Sequence, residues 1–346
     1  MDILNNAVIT NDCIRASVDV SEEELLSFCV ENGDILFQRS SETLEDVGRA
    51  NVYMDNKPAV FGGFVIRGKK KAEYDPLFFR YLLASPFARK KIIPMGAGAQ
   101  HFNIGQEGLN KVKLHFALLD EQKKIARLLS LLDERISTQN KIIEKLQSLI
   151  KGISNRLLYA DNSMSIRIEE MLIERSERTK KNNQYEILSS TVNGIFSQRD
   201  YFSKDIASDN NVGYKIIHLH DIVLSPQNLW MGNINFNDKF DIGIVSPSYK
   251  VFSIADGFDK KYVAALLKTH HALYNYMLVS EQGASTVRRN LNYEAFEQLV
   301  FKIPSLNKQQ EIGHVISLLK SQLENANLLI KTYNSQKQYL FRQMFI

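Results

Sequence analysis

The 346-residue sequence predicts an α+β fold built from a duplicated plan of globular unit followed by long helix. Three observations carry this reading. Two stretches have coiled-coil spacing, one fixed offset relates them, and short motifs far upstream repeat at the same offset.

The first long helix is predicted over residues 120–158. Ile125, Leu129, Leu132, Ile136, Gln139, Ile143, Leu146, Ile150, Ile153 and Leu157 alternate steps of four and three, and only Gln139 is polar. No proline interrupts the run, and Gly152 is its single glycine. Such a stripe must be buried against another helix. At about 1.5 Å per residue it reaches about 58 Å. Adding 187 to each position gives Ile312, Ile316, Leu319, Leu323, Ala326, Ile330, Tyr333, Lys337, Leu340 and Met344, where only Lys337 is charged. Leu119-Asp120-Glu121-Gln122 answers Leu306-Asn307-Lys308-Gln309. Asp120 and Asn307 are suitable N-caps, and Gln310 completes a capping box with Asn307.

Outside the helices, Asp34-Ile35-Leu36-Phe37 answers Asp221-Ile222-Val223-Leu224 at the same offset, and Gly96-Ala97 answers Gly283-Ala284. Asn103-Ile104 answers Asn290-Leu291, while Tyr81-Leu82-Leu83 aligns with Ala265-Leu266-Leu267 at 184. Coiled coils resemble one another by composition alone, so these outer matches are what establish the duplication. The predicted organisation is a globular unit over 1–117, a helix over 118–158, a second unit over 159–305 and a helix over 306–346.

In the first unit, Ile35 to Phe37, residues 59–66 and residues 111–118 read as strands, and residues 76–85 read as a helix. The second unit repeats this with strands near 222–224, 249–254 and 299–303 and a helix over 260–277. It also carries the stretch 159–187, which has no counterpart in the first unit, so the first unit is predicted to begin inside its domain. A truncated gene, a misassigned start and a short variant would each produce that pattern.

Hydrophobic content of 44% is ample for two cores. A net charge of +4 and a pI near 8.8 permit a nucleic-acid partner without demanding one. Cys13 and Cys29 are the only cysteines, which excludes a disulfide framework and a cysteine zinc site and fits a reducing cytoplasm. Neither a signal peptide nor an apolar run long enough to span a bilayer is readable, so no membrane association is predicted.

Gly33-Asp34 before a strand, the loop from Gly283 to Leu291, and Glu121-Gln122-Lys123-Lys124-Ile125-Ala126 followed by Leu132-Asp133 carry a resemblance. In this order, and duplicated, they resemble a type I restriction–modification DNA specificity (S) subunit. The departures are Ala117-Leu118 where the family has a proline pair, and Lys308-Gln309 for Glu-Gln after the retained Pro304. The resemblance implies two target-recognition domains separated by two long antiparallel coiled-coil helices with a pseudo-twofold internal repeat. It implies recognition of a bipartite double-stranded DNA site, with the helices setting the gap. The partners it implies are two methyltransferase (M) subunits and restriction (R) subunits in the cytoplasm. S-adenosylmethionine, ATP and Mg are expected on those partners, with no cofactor on this chain.

Arginine and lysine read guanine or bind phosphate, asparagine and glutamine read adenine, and serine and threonine are tolerant. The loop candidates in the first domain are Gln38, Arg39 and Ser40, the basic group with Arg67, Lys69 and Lys70, and Gln100, His101 and Asn103. In the second domain they are Gln227 and Asn228, then Ser285, Thr286, Arg288, Arg289 and Asn290.

The rival reading is catalysis, and no catalytic signature is complete. No two of the seven prolines are adjacent, so the Asp/Asn-Pro-Pro-aromatic motif of adenine methyltransferases is absent. Gly63 to Lys69 has Walker A glycine spacing, but Lys70 stands where a hydroxyl should bind Mg²⁺. His218 and His220 read as one strand face, without a third ligand in clear spacing, and no metal site is assigned. The sequence therefore reads as a non-catalytic subunit. The alternative is a truncated relic or coiled-coil assembly protein, with half-site or no DNA recognition.

Overall fold

The computed structural model describes residues 2–158, 164–201, 210–282 and 289–345. Two compact units emerge: Met1–Ile142 with Ala326–Ile346, and Ile143–Asn325. The long helices run over Leu119–Leu158 and Leu306–Met344, so each unit holds the start of one and the end of the other.

The heptad stripes are the covered faces of both helices. Leu129, Leu132 and Gln139 are buried, and Ile125, Ile136, Ile143, Leu146, Ile150 and Ile153 are half-buried. Leu157 carries a side chain outside the described residues. On the second helix Ile312, Ile316 and Ala326 are buried, and Leu319, Leu323, Ile330, Tyr333, Lys337, Leu340 and Met344 are half-buried. In the first unit the helices run antiparallel. Gln139 Nε2 donates to the Ala326 carbonyl at 3.2 Å, Lys337 bonds Asp133, and Phe345 packs with Ala126 and Leu129. Gln139 and Ala326 are repeat equivalents, separated by the full offset of 187. In an antiparallel pair of repeated helices, equivalent residues meet only where the local twofold crosses.

The helices start one residue before the expected caps, which places Asp120 and Asn307 inside the first turn. Their ends are tied by buried glutamines instead. The Asp75 N–H donates to Gln122 Oε1 at 3.0 Å, and Gln122 Nε2 donates to the Ala117 carbonyl at 2.8 Å. In the second unit the Asp259 N–H donates to Gln309 Oε1 at 3.1 Å, and Gln309 Nε2 donates to the Pro304 carbonyl at 2.9 Å. Asp75 and Asp259 in turn cap Pro76–Ala84 and Lys260–Leu266. The helix expected over 260–277 is two helices, because the Thr269 hydroxyl caps His270–Leu278 just as Ser85 caps Pro86–Ile92.

The first unit has an antiparallel three-stranded sheet ordered Ala50–Val52, Ile35–Gln38, Val65–Gly68. The second has the same three as Ile234–Phe236, Ile222–Leu224 and Lys250–Ile254, with Leu172–Glu174 added at the outer edge. Ile35 pairs with Gly68 as Ile222 pairs with Phe252. The turn before each central strand needs a positive φ, supplied by Gly33 at 94° and by His220 at 75°. His220 is thus a turn residue stacked on Phe236, while His218 ends a strand, so the two do not share a strand face.

Two strand expectations fail for want of pairing. The run over 59–66 divides into Ala59–Val60 and Val65–Gly68, which pair with different strands. Residues 111–118 form no strand, although their equivalents Val300–Ile303 pair with Met164–Arg167 in the second unit. Apolar alternation cannot make a strand without a neighbour to bond.

Each glutamine satisfies two backbone groups that are at least half-buried. Gln309→Leu should therefore cost about 2–4 kcal/mol, read as a lowered urea midpoint at unchanged slope; an unaltered midpoint would remove the tie from the account. Replacing Gln139 and Lys337 together with leucine should raise stability by about 1–2 kcal/mol. It should also broaden distances between spin labels on the two helices of the first unit, and a single narrow distance would show that these polar residues do not set register.

Candidate nucleic-acid interface

The polar candidates of the first unit come from separate stretches joined by one short ladder. Ser40–Ser41 pairs antiparallel with Phe102–Asn103, placing Ser40 opposite Asn103. The Ser40 hydroxyl donates to Asn103 Oδ1, and the Ile104 N–H donates to the Arg39 carbonyl at 2.9 Å. Asn103 and Ala97 exchange both backbone hydrogen bonds, at 2.8 and 2.9 Å. The chain reverses between them at Gly98, φ 146°, where a Cβ would lie 1.9 Å from the His101 carbonyl oxygen.

Arg39, Gln100, His101 and Asn103 are exposed. Gln38 is half-buried; its Nε2 donates to the Ser40 carbonyl at 2.8 Å, and its Oε1 has no partner among the described residues. The Arg39 N–H donates to the Phe64 carbonyl at 2.9 Å, which brings the turn over 61–64 to this edge. Phe64 is 76% exposed, an aromatic that the sequence reading passed over. Its signal was a large apolar residue directly after Gly62-Gly63. Together these residues offer a guanidinium fork, three primary amides, an imidazole and an apolar ring, the groups that contact phosphates and base edges.

The second unit builds its counterpart at the same place in the repeat. Gln227 and Asn290 are the equivalents of Ser40 and Asn103 at an offset of 187. The Arg289 N–H donates to the Gln227 carbonyl at 3.1 Å, and Arg289–Leu291 pairs with Ser280–Gln282. The Arg289 guanidinium lies 4.8 Å from the centre of the Trp230 ring, and its Nε has no hydrogen-bond partner among the described residues. Trp230, also unanticipated, thus makes a cation–π contact with the arginine. Gln227 and Asn290 are exposed, and Asn228 is half-buried before the helical turn Leu229–Met231. Ser285, Thr286 and Arg288 lie outside the described residues.

Three basic candidates stand apart. Arg67 is a structural cation: its side chain is 5% exposed and pairs with Asp34 at 2.6 Å. Burial alone would lower its pKa, but the hydrogen bond and charge of Asp34 together with the hydrogen bond to Glu31 raise the value. Lys69 and Lys70 are exposed and follow Gly68, opposite Ile35. Gln38 pairs at the other end of the strand, opposite Val65. The lysines therefore do not share the Arg39–Asn103 edge. Sequence proximity grouped them with Arg67, but pleating separates them.

Residues 2–148 match the type I restriction modification DNA specificity domain. A stretch of 143 residues is 30% identical to a specificity subunit described for the type I restriction enzyme MjaX of Methanocaldococcus jannaschii. That match covers 40% of this chain and spans 33% of the relative's length. In three dimensions the chain is similar to the S subunit of a type I restriction–modification system from M. genitalium, with a TM-score of 0.56 and 14% identity over 92% of this chain and 84% of the other. It is also similar to a chain from a structure concerned with complex assembly and conformational transition of the type I R-M system. There the TM-score is 0.51 and the identity 12%, covering 92% of this chain and 82% of the other.

Alanine at Gly98 combines a disfavoured φ with a backbone clash, so Gly98→Ala should destabilise the Ala97–Asn103 reversal by about 2 kcal/mol or more. The readout is faster amide exchange at Asn103 with the long helices unaffected; unchanged protection would show that the reversal tolerates a side chain.

Proposed function

We propose that the chain is a type I restriction–modification DNA specificity subunit and that it reads a bipartite double-stranded DNA site with one recognition edge in each unit. It is a non-catalytic subunit whose part in the complex is specificity. One observation carries the reading. Two polar clusters occupy equivalent positions in a duplicated frame, keeping asparagine at 103 and 290 but differing beside it, with Arg39 answering Pro226 and Ser40 answering Gln227 at the one offset. A shared frame with differing exposed groups is what two half-sites of unlike sequence require.

The edges divide into positioning and reading groups. Arg39 and Arg289 are forks suited to guanine or phosphate. Asn103, Gln100, Gln227 and Asn290 are amides suited to adenine. Arg289, held against Trp230, is pre-oriented and loses little freedom on contact. Lys69 and Lys70 lie off this edge and are set aside as base readers. The antiparallel helices act as the spacer that fixes the gap. Their repeated outer faces offer equivalent docking surfaces to two methyltransferase subunits, with restriction subunits completing the cytoplasmic complex. Methyl transfer and ATP-driven chemistry belong to those partners.

Sequencing methylated adenines across the genome, with and without the gene, tests the reading. A bipartite motif should vanish on deletion. Asn103→Ala should relax one half of that motif and Asn290→Ala the other, by about 1–3 kcal/mol of base discrimination each. No change on deletion would favour a relic or an assembly role, and loss of both halves from either substitution would refute independent edges.

A further inference from the structure

In the second unit one segment does two jobs. Met164–Arg167 pairs with Val300–Ile303, and after a helical turn Leu172–Glu174 pairs with Lys250–Ile254 as the fourth strand of the sheet. Between those strands Ile168, Met171 and Leu172 are at most 4% exposed, in the same core as Ile222, Phe252 and Phe301. Glu174 closes the segment, accepting from Lys250 Nζ at 2.9 Å and the Tyr293 hydroxyl at 3.0 Å.

The first unit has the receiving surface, and no described residue fills it. Val65–Gly68, the equivalent of the receiving strand, is an edge strand. Residues 113–116, the equivalents of Val300–Ile303, pair with no strand among the described residues, and the Lys113 carbonyl accepts from Lys91 Nζ at 2.9 Å. Between them lies a cavity of about 410 Å³ lined by Ile35, Phe37, Phe79, Leu83, Leu114 and Phe116. Phe116 is 58% exposed. The lining includes Lys69, Lys70 and Lys71, at the positions of Ser253, Ile254 and Ala255 in the second unit, with Glu73 3.9 Å from Lys70 as its one carboxylate.

We propose that this groove is a docking site for an acidic, apolar strand–turn–strand polypeptide segment with the chemistry of residues 164–174. The occupant adds a fourth strand beside Gly68–Lys70 and pairs with 113–116. Its apolar residues fill the cavity as Ile168, Met171 and Leu172 fill theirs. Three observations select this occupant. Both edges lack a neighbouring strand at the equivalent register, which an extended peptide supplies and a small molecule does not, with the Lys91 ammonium on the Lys113 carbonyl to be displaced or shared. The cavity is apolar where the second unit's core takes up this segment. The rim has gained three lysines where the second unit has none, which matches carboxylates such as Glu169, Glu170 and Glu174. The second unit's own segment is not free to serve, because it is already buried in its core. The site stands independently of DNA recognition.

The experiment uses the full chain and a fluorescein-labelled peptide of residues 164–175, with binding read by anisotropy. Binding should be saturable and weaken as salt rises. Serine in place of Ile168 and Met171 in the peptide should weaken it about 30-fold or more. Lys69→Glu with Lys70→Glu in the chain, at exposed positions that leave folding intact, should weaken it about fivefold. Amide exchange should slow at 68–70 and 113–116 in the peptide's presence. Four results would each overturn the proposal: no binding; binding indifferent to the serine substitutions; protection confined to the second unit, which would show exchange into the existing core; or a chain that is dimeric without peptide and already protected at 113–116, which would make a second copy the occupant.

Discussion

Each unit depends on a buried amide. Gln122 and Gln309 are 3% and 1% exposed, and each satisfies one backbone donor and one backbone acceptor from different elements. The bonds join the first turn of a long helix, the chain leading into it and the cap of the domain's own helix. A glutamine is long enough to span them, and its buried amide makes both bonds in a low-dielectric position. The geometry forces close approach. A Cβ on Gly313 would lie 2.2 Å from Asp259 Oδ1, and its equivalent in the first helix is the buried Ala126. The orientation of each domain on its helix is thereby set within one helical turn.

The two units keep a frame and change what fills it. Asp34 accepts from the Glu31 N–H as Asp221 accepts from the His218 N–H, both at 2.8 Å. The turn between takes glycine in one unit and histidine in the other. Ser85 and Thr269 cap equivalent helices through the same hydroxyl bond. Each capping aspartate bonds the third residue on. Backbone bonding of this kind tolerates exchange of neighbouring side chains, so the exposed edges at Ser40–Asn103 and Gln227–Asn290 are free to differ. The units differ most at the outer sheet edge, where one is completed by Leu172–Glu174 and the other ends at Val65–Gly68.

The long helices solve a different problem. A repeated apolar stripe can slide, since one heptad resembles the next. Gln139 reaches a backbone carbonyl on the facing helix. Lys337 bonds Asp133, which also accepts from the Tyr81 hydroxyl at 2.8 Å. Both polar intrusions are thus committed to single partners, one of them linked through Asp133 to the first domain's helix. A displaced register would strand a buried polar group.

The chain's periodic and repeated features were legible in its sequence. Helical spacing from Ile125 to Ile153, the offset of 187 and the strands after Asp34 and Asp221 follow from local chemistry and simple counting. Most members of the two polar edges could also be picked out as polar residues of loops between the periodic segments. What required tertiary structure was everything decided by a distant neighbour. Arg67 looks like Lys69 in sequence, yet Asp34, 33 residues away, makes it a core ion pair. Residues 113–116 and Val300–Ile303 share an apolar pattern, but only the latter have a strand to bond. Phe64 and Trp230 join the edges only because the Arg39 N–H reaches Phe64 and the Arg289 side chain reaches Trp230. Periodicity is a property of consecutive residues and can be read from them; pairing, burial and charge compensation belong to residues that meet only after folding.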